Sequence, residues 1–228
     1  MDILLGNILI QRNVVTKEGC KYLADYVKNS PKDRMGVYDA EKSNNTRKDE
    51  HKIDPKVRDV LCADIVPIFH EVKDLYDDIV KNVINPFYQF KIKDSEVPQF
   101  LYYTQGGHYK PHYDGEGLWT NPDGTKQWKK SIDRDISTVL FLNDDFEGGE
   151  FVFPAWNISI KPEPGLLVAF PSTHHYLHGV QPVTSGERVA SVCWMRVEGV
   201  PTKEDQDREI SEKYLSLIHI SEPTRLSL

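Results

Sequence analysis

The chain changes rhythm near its middle: before Gln99 apolar residues recur with a helical period, and beyond it they fall into short blocks between glycine- and proline-bearing turns. Ile8 to Val15 reads as a strand. Thr16 can then cap a helix in which Cys20, Leu23, Ala24 and Val27 stand at i, i+3, i+4 and i+7 and share one face. Ser30 to Asp54 is polar and is expected to be a solvated loop or weak hairpin. Asp54-Pro55 predicts a second helix start, with an acceptor at the cap and a ring that needs no amide partner in the first turn. Leu61, Ile65, Ile68, Phe69, Val72, Tyr76, Ile79 and Val83 would form its apolar face, and Pro67 should kink or divide it.

Beyond Gln99 the pattern predicts strands at Phe100 to Thr104, Tyr109 to Tyr113, Ile136 to Leu142, Glu150 to Phe153, Ile158 to Ile160, Leu166 to Phe170 and Val189 to Val197. Gly106-Gly107, Gly148-Gly149, Pro164-Gly165 and Ser185-Gly186 separate them. So many short strands imply a β-sandwich or jelly roll with the earlier helices packed along one sheet. The polar run Thr202 to Lys213 reads as a solvated terminal helix.

At 228 residues and 39% hydrophobic, the chain can bury one sizeable core, and one domain is expected. A net charge of −7 gives no support for nucleic acid as a partner. Cys20, Cys62 and Cys193 lie far apart without a Cys-X-X-Cys, which argues against a disulfide framework and a structural zinc site. No apolar run approaches membrane-spanning length, and Met1 to Ile10 lacks a basic leader and a cleavage site. The expectation is a cytoplasmic protein with no membrane partner.

Candidate chemistry centres on His-Tyr-Lys-Pro-His-Tyr-Asp-Gly, 108–115, where His112 and Asp114 stand two residues apart and would share one face of an extended strand. Two His and one carboxylate on one side of an octahedral metal, with the other side open, form the ligand set of non-haem Fe(II) oxygenases. His174, His175 and His178 are the downstream candidates for the missing imidazole. His178 is preferred because Gly179 beside it leaves room near a metal and because it opens a segment leading to the strand that carries Arg188. His108 shares strand parity with His112 and is given a supporting or surface role rather than that of a fourth ligand. His70 has no second ligand at i+4 and is not counted as one.

Three segments, Tyr103 to Asp114, Leu140 to Pro154 and His178 to Trp194, occur in an order and spacing that resembles the Fe(II)/2-oxoglutarate-dependent dioxygenases, and among them the prolyl 4-hydroxylase-like branch. The resemblance runs from Pro98 to Val197. It implies a mainly β fold with flanking α-helices, a double-stranded β-helix (jelly roll) buttressed by N-terminal helices. It makes His112, Asp114 and His178 the metal ligands and catalytic residues. Arg188, ten residues after His178, would bind the far carboxylate of 2-oxoglutarate, a task suited to a permanently charged fork of donors. Tyr103 would reach the same cosubstrate, and Ser137 would add a hydroxyl from the strand wall. The implied cofactors are Fe(2+), 2-oxoglutarate and O2, with ascorbate as an optional addition.

Two positions depart from the best-known members: Arg188 stands where collagen-type enzymes usually have Lys, and Phe141 where many relatives have Tyr. Asp114 stands where related halogenases have Gly or Ala, so the resemblance implies hydroxylation. The implied reaction converts 2-oxoglutarate to succinate and CO2 while hydroxylating an unactivated C–H bond, foremost in a prolyl residue of a peptide or protein. Another side chain, a free amino acid or a small metabolite is the alternative substrate. A catalytically silent jelly-roll binding module is the alternative of another class; a zinc hydrolase would leave Arg188 and Tyr103 without a purpose.

The expected organisation is an N-terminal support over 1–97, a catalytic core over 98–200 and a polar helix over 201–214. Leu215 to Arg225 resembles the in-frame translation of a sequencing-library adaptor, so 215–228 is set apart from fold and site. Phe151, Phe153, Phe170 and Trp194 are assigned to the core. Gly115 to Arg134 is expected to be a hairpin loop serving as a substrate lid or a plain surface turn.

Overall fold

The computed structural model describes residues 2–3, 7–38 and 51–221. Among these residues two antiparallel sheets pack face to face as a double-stranded β-helix. The larger runs, in spatial order, Asp2–Ile3, Leu9–Gln11, Leu167–Pro171, Ile136–Phe141, Arg188–Val197, Gln99–Tyr103, Leu61–Ala63 and Lys32–Arg34, with Ile92–Ser95 on the far end of Arg188–Val197. The smaller runs Ile158–Ile160, Phe151–Phe153, His178–Val180, His108–His112 and Arg58–Asp59.

Alternation along the large sheet divides its side chains between two cores. Phe100, Ile136, Leu140, Leu167, Ala169, Val189, Cys193 and Met195 face outward into a cluster shared with the helices. Leu101, Tyr103, Val139, Phe141, Val168, Phe170 and Ala190 face inward, against Phe151, Phe153 and Val180 of the small sheet. The period of two therefore decides which residues can reach the cleft between the sheets.

The first helix, Lys17–Asn29, forms as the pattern predicts: the Thr16 side chain accepts from the Gly19 amide, and Cys20, Leu23, Ala24 and Val27 are buried. The second does not begin at Asp54-Pro55. Residues 55–57 make a turn, Arg58–Asp59 is the edge strand of the smaller sheet, and Leu61–Ala63 lies in the larger one between Gln99–Tyr103 and Lys32–Arg34. The helical path starts with the 3₁₀ turn Val66–Ile68, continues as Phe69–Ile79, loosens to a π-turn over Val80–Ile84 and ends with Asn85–Tyr88. Pro67 sits in the first turn, where its missing amide costs nothing, so it starts the helix rather than kinking it. Asp64 Oδ1 accepts from the Val66 amide at 2.9 Å and supplies the start signal expected of Asp54.

Within the polar stretch Ser30 to Asp54, Lys32–Arg34 joins the large sheet beside Leu61–Ala63, and Val37–Tyr38 pairs with His51–Lys52; residues 39–50 lie outside the described residues. Two short pairings escaped the pattern, Phe146–Gly148 with Val183–Gly186 and His108–His112 with His178–Val180. The segment expected to be a hairpin loop is the hairpin Glu116–Thr120/Lys126–Lys130. The terminal helix, Lys203–Ser221, runs into the segment set apart, of which 222–228 lie outside the described residues. Among the described residues no helix is long and apolar enough to cross a membrane.

Candidate active site

The two imidazoles meet because their strands pair in register, His112 opposite His178, at the mouth of the cleft. Asp114 lies just past the end of its strand. Its turn is pinned by the Gly115 amide, which donates to the Ser172 carbonyl at 2.9 Å. His112 Nε2 is 3.5 Å from Asp114 Oδ1, and His178 Nε2 is 3.3 Å from Oδ2. One potential ligand atom from each residue lies within 4.8 Å of the others, and among the described residues these three form the group able to hold a metal.

Hydrogen bonds fix which face each ring presents. His112 Nδ1 donates to the Lys110 carbonyl at 2.9 Å, and His178 Nδ1 to the Tyr176 carbonyl at 2.8 Å. In each neutral ring this leaves the Nε2 lone pair aimed at the carboxylate, the tautomer and orientation that metal-binding histidines adopt. Lone pairs of two nitrogens and a carboxylate then converge with no donor among them, an arrangement that a cation or a proton relieves. Burial and the neighbouring His178 push the His112 pKa down, only partly offset by Asp114. Burial alone would raise Asp114, but His178 and His112 outweigh it and hold the carboxyl well below its usual range. His112 is thus favoured in its neutral form beside an ionised Asp114, and imidazole nitrogens with a carboxylate are donors suited to a divalent ion.

Deeper in the cleft, Arg188 is 1% exposed and sits opposite Tyr103 on the neighbouring strand, its guanidinium 4.7 Å from that ring and 5.3 Å from the ring of Phe141. Burial pushes its pKa down, and Tyr103 opposes the shift. Arg188 Nε and Nη2 are buried without a hydrogen-bond partner. A buried, unpaired cation is destabilising by several kcal/mol, and those two N–H groups form the edge that grips a carboxylate through parallel bonds. Arg188 and the triad line one cleft, walled by Leu101, Val139, Val180 and Val192. A metal at the triad and a dicarboxylate reaching Arg188 both fit this donor set.

Ser137 has a different neighbour from the one expected. Its hydroxyl donates to Asp114 Oδ2 at 2.7 Å and lies 2.8 Å from Ser172 Oγ, so it orients the carboxylate. The room expected beside Gly179 belongs to the neighbouring strand: a Cβ there would lie 2.9 Å from the Tyr109 carbonyl and 3.0 Å from the Pro111 nitrogen. His108 contacts the carbonyls of Gly106 and Lys56, outside the triad. His174 stacks on Trp128 with centroids 4.6 Å apart and contacts Glu116 Oε2 at 2.5 Å, which fastens the 116–130 hairpin beside the site. His175 lies against His174. Phe151, Phe153, Phe170 and Trp194 are buried, and the three phenylalanines surround His178.

Two residues at the site were not singled out from the sequence. Tyr109 stacks on His112 with centroids 3.6 Å apart, because a register irregularity between them brings residues of opposite parity to one side. Arg58 lies over Tyr109 at 4.6 Å, on a strand that helical periodicity had hidden.

The geometry agrees with what the chain is similar to. The model of the 2OG-Fe(II) oxygenase superfamily matches residues 98–196. Prolyl 3-hydroxylase 2 of Rattus norvegicus is 33% identical over 106 residues, covering 43% of this chain and 15% of that protein. A PKHD-type hydroxylase of Psychrobacter sp. is 39% identical over 117 residues, covering 50% of this chain and 41% of that protein. The chain therefore spans less than half the length of both. Among solved structures, the viral collagen prolyl hydroxylase of Paramecium Bursaria Chlorella virus-1, determined as a 2OG complex, superposes with a TM-score of 0.60 at 22% identity, covering 84% of this chain and 96% of that one. Residues 98–196 of this chain thus match the model of the 2OG-Fe(II) oxygenase superfamily, and the chain shares its fold with a viral collagen prolyl hydroxylase.

Proposed function

We propose that the chain is an Fe(II)- and 2-oxoglutarate-dependent dioxygenase that hydroxylates an unactivated C–H bond, with a prolyl residue of a peptide or protein as the substrate. The observation that carries this reading is the pairing of a convergent His112–Asp114–His178 set with a buried, partnerless guanidinium at Arg188 in one cleft. A metal-binding module without this chemistry has no use for the second element. The prolyl part is supported by the names of a relative, a prolyl 3-hydroxylase, and of a protein of the same fold, a viral collagen prolyl hydroxylase.

When bound, Fe(II), 2-oxoglutarate and O2 would supply the oxidising power, 2-oxoglutarate being converted to succinate and CO2. The chain's residues do the rest. His112 and His178 present neutral Nε2 atoms, each locked by a carbonyl at Nδ1. Asp114 supplies the anionic ligand, its orientation fixed by the Ser137 hydroxyl. Arg188, braced by Tyr103 and Phe141, would hold the far carboxylate of 2-oxoglutarate and so orient it in the cleft. Apolar walls exclude water from the reacting centre. The three cysteines are unpaired, which fits a reducing, cytoplasmic compartment. Ascorbate takes the part of an accessory reductant.

Anaerobic addition of Fe(II) and 2-oxoglutarate should give a weak visible charge-transfer band, and admission of O2 should yield succinate. A proline-containing peptide library should then gain sixteen daltons in its substrate members. A protein that binds the metal without the band or succinate would be a silent module.

A further inference from the structure

The lining of the cleft carries a second guanidinium that this chemistry does not use. Arg58 sits on the edge strand Arg58–Asp59, directly opposite Tyr109, and its guanidinium lies 4.6 Å from the Tyr109 ring that itself stacks on His112. One nitrogen is engaged, Nη1 donating to the Gly36 carbonyl at 3.2 Å. Nε is buried and has no partner. Among the described residues no carboxylate pairs with Arg58, whereas its neighbour Asp59 is bound to Arg34 at 2.6 Å. With Nη1 taken, the edge left open is the Nε/Nη2 fork, which matches two oxygens of one anion.

Charge balance shows what should fill it. Arg58, Asp114 and Arg188 are the charged residues lining the cleft among those described. The two charges of Fe(II) and the one on Arg188 are matched by Asp114 and the two carboxylates of 2-oxoglutarate. Arg58 is left over. A peptide carbonyl could accept from Nε but would leave the half-buried cation without a countercharge, whereas a carboxylate supplies both the paired acceptors and the opposite charge. We propose that Arg58 is a specificity-determining residue that binds a carboxylate on the substrate, placed one aromatic ring away from the metal-binding imidazole. The inference rests on the function proposed above and narrows its substrate class from peptides in general to those carrying an acidic group close to the hydroxylated residue.

Matched probes test it: short blocked peptides with Asp before or after a central Pro against their Asn isosteres, a peptide ending in Pro with a free carboxylate against its amide, and L-proline against prolinamide. Calorimetric Kd on the protein held anaerobically with Mn(II) and 2-oxoglutarate is one readout, and sixteen-dalton mass gain is the other. In at least one pair the carboxylate should bind tighter by about tenfold or more, and the responding pair tells a side-chain carboxylate from a main-chain one. Arg58→Gln should reduce that preference to about twofold or less while keeping the affinity for the amide member. Arg58→Lys, which keeps the charge and loses the fork, should lower the preference by a smaller factor and serves where the Gln variant does not fold. Equal affinities in every wild-type pair, or an unchanged preference in either variant, overturns the proposal. Wild-type protein that forms succinate but shows no carboxylate preference defeats the Arg58 assignment alone; absence of any 2-oxoglutarate binding or succinate defeats the proposed function.

Discussion

Arg134 and Arg188 each lie over an aromatic ring, Arg134 over Trp194 at 3.6 Å and Arg188 over Tyr103 at 4.7 Å. In Arg134 the Nε and Nη2 edge is taken by Glu96, at 2.5 and 2.7 Å. In Arg188 the same two nitrogens are buried and empty-handed. One fork is closed within the scaffold and the other is left open in the cleft. The contrast recurs on the two faces of the strand Arg188–Val197: on the helix side the buried Ser191 accepts from Tyr76 at 2.8 Å, while the cleft side begins with the unpaired guanidinium. Where the protein only has to hold together, its polar groups are matched internally. Where it has to receive a ligand, it leaves them waiting, at a cost to its own stability.

The largest effect should come from the centre of the open side. His178→Ala should abolish succinate formation and the charge-transfer band while leaving the helical circular dichroism unchanged, since the lost ring packs beside Phe151, Phe153 and Phe170 between the sheets and not in the helix-side core. Next, Arg188→Met should weaken 2-oxoglutarate binding by roughly 100-fold, the value of two charge-assisted hydrogen bonds. It should also raise the melting temperature of the ligand-free protein, because an uncompensated buried charge is removed. Arg134→Met is the reciprocal test: it should lower stability by about 1 kcal/mol, as loss of a partly exposed pair does, and leave the 2-oxoglutarate KM alone. If Arg134→Met changes that KM, or Arg188→Met destabilises the protein, the division between closed and open forks is wrong.

The smallest effect belongs to the helix side. Burial pushes Cys193 up to about 12 and Cys20 up to about 11. At pH 8 both thiols should react with a thiol reagent only as fast as the protein opens. Because these folded values lie above the ordinary 9.0, the associated stability is full below pH 9 and declines as the pH rises toward them. Rapid labelling of Cys193 in the native protein would show that this face is less sealed than the cleft.

Much of this was legible because it depends on near neighbours. A period of two in Ile136 to Leu142 and Val189 to Val197 marks strands whose faces go to different cores, and Cys20, Leu23, Ala24 and Val27 mark a helix that needs one buried stripe. The metal-suited pair His112 and Asp114 is likewise marked by residue type and spacing, whereas the role expected of Arg188 came with the family resemblance. The second helix failed for a local reason with a distant cause. Leu61 and Ile65 fit a helical period, but Leu61–Ala63 is held as a strand by pairing with Gln99–Tyr103, which no window of sequence around Leu61 contains.

What the sequence by itself determined is therefore the sidedness of its strands and the presence of metal-suited and carboxylate-suited groups. The tertiary structure alone decided that His112 faces His178 across a sheet, that an irregularity turns Tyr109 onto His112, that Ser137 serves Asp114, and that Arg58 reaches the cleft. The reason is physical: side-chain chemistry and local period belong to the residues and their immediate neighbours. Which groups meet is set by the register of strands far apart in the chain, and a slip of one residue would send each of them to the opposite face.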